Sequence, residues 1–294
     1  MITILDGGMG AELIRRGAAT SGGLWSAQAL LDNPEAVVET HHDFIRAGAR
    51  LIITNSYSSI PSYLEKEGLE DRYEELTALA GQLARRVADE TKENVRVAGS
   101  LPPLSESYRP DLVPDRGAAR SIYDAMALAL EPNVDLFICE TMSSIGESMN
   151  ACEAAKKAAL ARGLPVYVSW TLNEKPGAGL RSGETLNAAY EELSAIGVDG
   201  FLCNCTAPEA IEAAVKELSD WTDKPIGGYP NRVSEVPQGW TLDNALEAER
   251  RVDITPSVFV EFARRCVQNG ATMFGGCCGV GPEYIAALAE AFPD

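Results

Sequence analysis

Eight short apolar runs, each followed by a stretch with helical hydrophobic spacing, restrict this chain more than any other feature. They are Ile2 to Asp6, Leu51 to Ser56, Val95 to Ser100, Val134 to Glu140, Pro165 to Leu172, Val198 to Asn204, Pro225 to Tyr229 and Ala271 to Gly275. The intervening segments are rich in Ala, Glu, Lys and Arg; in 74–91, for example, Leu76, Leu79, Leu83 and Val87 share one helical face. Eight strand–helix units in series predict an α/β fold, a parallel sheet closed into a (β/α)8 (TIM) barrel. Such barrels form one domain at about 250 residues, so residues 1–294 are expected to be a single domain. Two longer irregular stretches, Leu101 to Arg116 and Asn231 to Thr255, contain Pro and Gly and read as elaborated βα loops.

A net charge of −18 gives no basic face for nucleic acid or an anionic membrane surface, whereas a small cationic ligand is tolerated. No apolar run reaches about 18 residues, so no membrane-spanning helix is expected. Met1 to Leu5 runs into Asp6-Gly7-Gly8 without a basic region or cleavage site, and the seven cysteines are an odd number. A disulfide framework is therefore not expected, and a cytoplasmic location that keeps thiols reduced fits better.

Barrels carry their chemistry on loops at the C-terminal ends of the strands. That rule selects Asp6-Gly7-Gly8, Asn55-Ser56-Tyr57, Glu140-Thr141, Asn204-Cys205, Tyr229-Pro230-Asn231 and Cys277-Cys278. Cys205, Cys277 and Cys278 are candidate zinc ligands: three thiolates hold the ion and leave one position open. The alternative is that they are small buried hydrophobes, but a pair bracketed by Gly276 and Gly279 makes a poor core element. Packing suits Cys139, Cys152 and Cys266 in their apolar contexts. It also suits Cys203, which strand alternation puts on the face of Cys205, one rung deeper in the barrel. An open zinc–thiolate site is fitted to activating another thiol, because coordination keeps that sulfur deprotonated at neutral pH. His41 and His42 are adjacent on a predicted helix and cannot both face one site.

Asp6 with Gly7 and Gly8 offers a carboxylate and backbone N–H groups, a receptor for the two ends of an amino acid. Glu140 can add a second contact to the ammonium. Against this, Asp6 could cap the following helix and Glu140 could pair with an arginine. Trp25, Tyr57, Tyr108, Trp170 and Tyr229 lie on or near predicted βα loops, where a cationic methyl group could rest on a ring face. Trp25, following Gly22-Gly23-Leu24, and Tyr229, preceding Pro230-Asn231, are favoured.

These landmarks resemble the zinc- and homocysteine-dependent S-methyltransferases, the family of homocysteine S-methyltransferases, betaine–homocysteine methyltransferases and the homocysteine domain of methionine synthase. The resemblance spans nearly the whole chain. It rests on Leu5-Asp6-Gly7-Gly8-Met9-Gly10, Leu24-Trp25-Ser26, Ala47-Gly48-Ala49 through Thr54-Asn55-Ser56-Tyr57, Glu140-Thr141, Asn204-Cys205-Thr206-Ala207-Pro208-Glu209, Tyr229-Pro230-Asn231 and Gly275-Gly276-Cys277-Cys278-Gly279. It implies that Cys205, Cys277 and Cys278 bind one Zn2+, that Asp6, Gly7, Gly8 and Glu140 receive homocysteine, and that Trp25 lies near the methyl donor. Homocysteine sulfur would complete the zinc tetrahedron and attack the methyl of a sulfonium or ammonium, giving methionine. Asn204 is expected to hold the fourth zinc position before homocysteine arrives.

The chain departs from the methylmethionine enzymes after its third strand. There it reads Gly99-Ser100-Leu101-Pro102-Pro103-Leu104 in place of a Gly-Pro-Tyr-Gly-like stretch, and Arg232-Val233-Ser234-Glu235 replaces the usual Ser-Gly-Glu. Methyltetrahydrofolate is demoted, since one barrel leaves no space for a pterin domain or cobalamin carrier. Betaine is expected to rank behind, because betaine enzymes usually carry a C-terminal extension and the sequence here ends 16 residues after Cys278. S-methylmethionine leads, ahead of S-adenosylmethionine, dimethylsulfoniopropionate and betaine. A non-catalytic zinc- or thiol-sensing barrel is the competing class; a zinc hydrolase would need a general base and His or carboxylate ligands.

Overall fold

The alternation of apolar strands and amphipathic helices resolves into eight parallel strands. A computed structural model describes residues 2–20, 23–237, 239–243, 246 and 249–293. The strands are β1 (Thr3–Ile4), β2 (Leu51–Ile53), β3 (Arg96–Leu101), β4 (Leu136–Met142), β5 (Val166–Trp170), β6 (Gly200–Asn204), β7 (Ile226–Tyr229) and β8 (Met273–Phe274). Neighbours pair in the order β1-β8-β7-β6-β5-β4-β3-β2. A parallel bridge between Leu5 and Leu51 joins the two ends, so the sheet closes into a (β/α)8 barrel.

The period of two along each strand separates two layers of side chains. Leu5, Leu51, Ala98, Leu136, Ile138, Tyr167, Leu202, Tyr229 and Met273 fill the barrel as one cluster. Their alternate neighbours, among them Ile52, Val97, Phe137, Val168, Phe201 and Phe274, belong to a separate cluster with the apolar faces of the helices. Helix starts follow local chemistry. Asp115 accepts from the backbone N–H groups of Gly117 and Ala118 at the start of Arg116–Leu130, and the helices Pro208–Ser219 and Pro282–Ala291 begin on the expected prolines.

Several runs outlast their strands. Ile2 to Asp6 contributes only Thr3–Ile4 and the Leu5 bridge, while β4 continues past Glu140 through a register break between Cys139 and Met142. The 101–116 stretch holds one 3-10 turn, Pro110–Leu112. Among the described residues of 231–255 there is no helix, only a bridge between Val233 and Arg250. Gln238, Asn244, Ala245, Glu247 and Ala248 of that loop, and Gly22 of the Gly22-Gly23-Leu24 element, lie outside the described residues. No helix among the described residues is long and apolar enough to cross a membrane.

Candidate metal and substrate site

Alternation along β6 would turn Cys205 the same way as Cys203, and Cys203 is buried in the outer layer, against the helices. The expectation that the two thiols share a face inside the barrel is therefore corrected. Cys205 reaches the mouth because its backbone is left-handed, φ +51°, which ends the alternation immediately after Asn204, the last residue of β6. Cys277 and Cys278 come from the loop after β8, stitched to its neighbours by backbone hydrogen bonds. Gly276 N–H donates to the Asp6 carbonyl (2.9 Å), Cys277 N–H to the Pro230 carbonyl (2.9 Å) and Arg232 N–H to the Cys278 carbonyl (2.8 Å).

The three sulfurs meet. Cys205 Sγ lies 2.9 Å from Cys277 Sγ and 3.6 Å from Cys278 Sγ, and all three fall within 4.8 Å of one another. Three sulfurs around a tetrahedral zinc at about 2.3 Å stand about 3.8 Å apart, so this donor set fits such an ion. The thiols share charge unequally. Hydrogen bonds from Cys205 and Cys277 hold Cys278 well below the ordinary thiol range, whereas Cys277, hydrogen-bonded to Cys205 and buried among sulfurs, is pushed well above it. A divalent cation among the three sulfurs would let all three ionise.

Two carboxyls face the same cavity. Asp6 is 2% exposed and accepts from the Ile53 N–H at 2.8 Å. Glu140 accepts from the Ser100 hydroxyl and, at 3.2 Å, from the Tyr229 hydroxyl. Burial, opposed by the Ile53 N–H and reinforced by the charge of Glu140, holds Asp6 well above the usual carboxylate range. Burial likewise lifts Glu140 from 4.5 to about 7. Neither forms a salt bridge among the described residues, so the arginine partner considered for Glu140 is not there. Two buried carboxyls without a cation suit an ammonium group.

Asn204 does not reach the cavity. Its Oδ1 accepts from Thr141 N–H (2.8 Å) and Ser169 Oγ (2.7 Å), and its Nδ2 donates to Thr141 Oγ1 (2.8 Å). Thr141 is a β-branched residue at φ +60°, a conformation that costs roughly 1–3 kcal/mol unless its surroundings fix it. Asn204 thus braces the turn that follows Glu140, and the expectation that it holds zinc's open position gives way to this role.

Gly7 and Gly8 serve by close approach. A Cβ on Gly7 would stand 2.3 Å from the Val280 carbonyl oxygen, and one on Gly8 2.6 Å from that of Cys277. The Gly8 N–H already donates to Val280 O at 2.9 Å, so that expected backbone donor is engaged within the protein. Trp25, at φ +45°, lies so near the first helix that a Cβ on Gly10 would come within 1.9 Å of its indole nitrogen. The turn is fixed from the loop after β2: Asn55 Nδ2 donates to the Ser26 carbonyl (3.1 Å) and Ser58 Oγ sits 2.8 Å from Ser26 Oγ.

The cavity, about 740 Å³, is lined by Asp6, Gly7, Gly8, Trp25, Glu140, Tyr229 and all three cysteines. Tyr57 and Tyr108, noted as aromatics in the sequence, line it too, whereas Trp170 is buried in the outer layer with its Nε1 donating to Ser148 Oγ. His41 is buried in the helix Pro34–Arg46, and burial lowers its pKa to about 3. Sequence reading missed Ser100 and Trp240. Ser100 alternates with core residues in β3, and its signal was a lone hydroxyl on an inward strand position; Trp240 sits in an irregular loop with no period to place it.

The geometry agrees with what the chain is similar to. The homocysteine S-methyltransferase family profile matches residues 3–292. A homocysteine S-methyltransferase of Escherichia coli K12 is 31% identical over 98% of this chain and 94% of its own length, and homocysteine S-methyltransferase YbgG of Bacillus subtilis 168 is 28% identical over 98% and 93%. The crystal structure of the metallated homocysteine methyltransferase MmuM from E. coli superposes with a TM-score of 0.80 at 29% identity, covering 99% of this chain and 96% of that one. This chain belongs to the homocysteine S-methyltransferase family and is a methyltransferase.

Proposed function

We propose that this chain transfers a methyl group from a sulfonium donor, S-methylmethionine foremost, to the thiol of L-homocysteine, giving methionine, with one zinc ion held by Cys205, Cys277 and Cys278. The observation that carries this reading is the meeting, in one cavity, of three free thiols and two buried carboxyls that have no basic partner among the described residues. Bound to the three thiolates, zinc would supply Lewis acidity that keeps the acceptor's sulfur deprotonated at neutral pH. Asp6 and Glu140 receive the amino acid's ammonium, with Ser100 and Tyr229 orienting the Glu140 carboxyl. Trp25 gives the donor's cationic centre a ring face. The homocysteine sulfur forms its bond to the methyl carbon as the bond from that carbon to the donor's sulfur breaks. The donor leaves as a neutral thioether, so no side chain need protonate it. Holding both reactants in line and away from water supplies the rate.

Residues 1–294 act in this reading as one barrel domain, working on small molecules in a reducing cytoplasm where the cysteines stay free. The test is to incubate zinc-loaded protein and homocysteine with S-methylmethionine, S-adenosylmethionine, dimethylsulfoniopropionate or betaine and to quantify methionine by mass spectrometry. The fastest turnover is expected with S-methylmethionine. Methionine from none of the four would overturn the reading.

A further inference from the structure

Tyr108 Oη lies 2.9 Å from Cys205 Sγ. Both residues have left-handed backbones, φ +67° and +51°, and those two turns bring the phenol and the thiol together. Tyr108 is gripped on two sides. The Arg181 guanidinium lies 4.9 Å from the ring centroid, and Trp240 packs edge-on at 5.5 Å. Arg181 is in turn held by Glu174 through a largely buried ion pair, Nη2 to Oε1 at 2.6 Å. The other Glu174 oxygen accepts from the Ala207 N–H at 2.9 Å, two residues after Cys205. The contacts form a closed circuit from Cys205 through Ala207, Glu174, Arg181 and Tyr108 back to the Cys205 sulfur.

We propose that Tyr108 is a positioning residue that donates its hydroxyl proton to the Cys205 thiolate, and that the Glu174–Arg181 pair holds it there. The inference rests on the three-cysteine metal site proposed above. A ligating thiolate has no proton to give, so in the loaded protein the phenol must be the donor. That hydrogen bond draws charge off Cys205 and leaves the metal a stronger acceptor for the incoming sulfur of homocysteine. Tyr108 belongs to the loop after β3, where this chain departs from the methylmethionine enzymes. Arg181 places a cation over the phenol ring and keeps the ring from turning away.

The experiment uses Tyr108→Phe, which preserves the ring and its contacts with Arg181 and Trp240, and Arg181→Met, which loosens the grip without touching the phenol. Metal-free protein is titrated with Co2+, and the sulfur-to-cobalt charge-transfer band is recorded; homocysteine KM and kcat are measured on zinc-loaded protein. Loss of the hydrogen bond raises the energy of the sulfur lone pair. Tyr108→Phe should therefore move the band to longer wavelength and raise homocysteine KM roughly tenfold, with kcat much less affected; Arg181→Met should move the band the same way by less. A Tyr108→Phe band at the wild-type position would overturn the proposal, as would equal losses in KM and kcat with a lowered melting temperature and no band shift. An Arg181→Met band unmoved while that of Tyr108→Phe moves would overturn the clamp. Wild-type protein that develops no thiolate–cobalt band would instead overturn the metal site itself.

Discussion

Replacing Glu140 by Gln should stabilise the ligand-free protein at alkaline pH while abolishing its hold on an amino acid. The carboxyl is 6% exposed, and burial raises its pKa from 4.5 to about 7. Because the folded value lies above the unfolded one, the folded protein binds the proton more tightly. Below about pH 4.5 both states are protonated and burial carries no penalty; stability then falls as pH rises toward about 7, and above that the loss is complete. At about 1.4 kcal/mol per pH unit, a rise from 4.5 to about 7 amounts to about 3 kcal/mol. Ser100 and Tyr229 donate to different carboxylate oxygens; Gln keeps the shape but offers one acceptor oxygen and one NH2 group, so one hydroxyl must turn to accept instead, and exchanging a charged for a neutral partner costs about 1 kcal/mol.

The variant should therefore gain about 2 kcal/mol at pH 8.5, a melting temperature roughly 4–8 °C higher for a domain of this size. That gain should vanish near pH 5. Scanning calorimetry of metal-free wild type and Glu140→Gln from pH 5 to 8.5 reads the difference directly, and isothermal titration of zinc-loaded protein with homocysteine reads the loss of binding. A melting difference that does not change with pH would refute the reasoning, since the ionisable group would then not be the strained one. A variant less stable than wild type at pH 8.5 would refute it as well.

Asn204→Ala should cost about 2–4 kcal/mol, because it orphans the buried Thr141 N–H and the Ser169 hydroxyl. It should lower kcat/KM at least about tenfold through a misplaced Glu140, yet leave one zinc per chain by atomic emission; loss of the metal would return Asn204 to the coordination sphere. Trp25→Ala should raise the KM for a sulfonium donor about tenfold, the worth of a desolvated cation–π contact, with homocysteine KM unchanged in the same steady-state assay. A chelator should abolish methionine formation and expose three further thiols to an aromatic disulfide reagent, with Zn2+ restoring activity and protecting all three.

The barrel was legible because its strands are buried on both faces and read as apolar runs, while the helices between them carry one apolar stripe. That Asp6, Glu140 and the three cysteines meet in one cavity was legible because charged or metal-ligating residues at the ends of such runs have no packing reason to be there. The errors meet at the end of β6. Cys203 and Cys205 were assigned a common face by extending strand periodicity past Asn204, and Asn204 was expected at the open zinc position from its place beside Cys205. The left-handed turn at Cys205 rotates its thiol into the mouth while Asn204 stays in the barrel wall beneath it. Glu174 and Arg181 were invisible for a different reason: the groups they hold, the Tyr108 ring and the Ala207 N–H, are far away in sequence, and no local pattern marks a salt bridge that grips them.

That failure of periodicity identifies the site more sharply than composition does. Among the described residues, four that are not glycine have left-handed backbones: Trp25, Tyr108, Thr141 and Cys205. At roughly 1–3 kcal/mol each, such residues persist only where their surroundings over-determine them, and here the surroundings are visible. Trp25 is seated on Gly10, Tyr108 is held by Arg181 and Trp240, Thr141 by Asn204 and Cys205 by Tyr108 and its fellow thiols. Three line the cavity, and the fourth follows Glu140, which does. A strand can point a side chain only inward or outward, and three sulfurs converging over a barrel mouth require a third direction. The left-handed turns provide it, and the hydrogen bonds that hold them are what fix the two carboxyls and the sulfurs relative to one another.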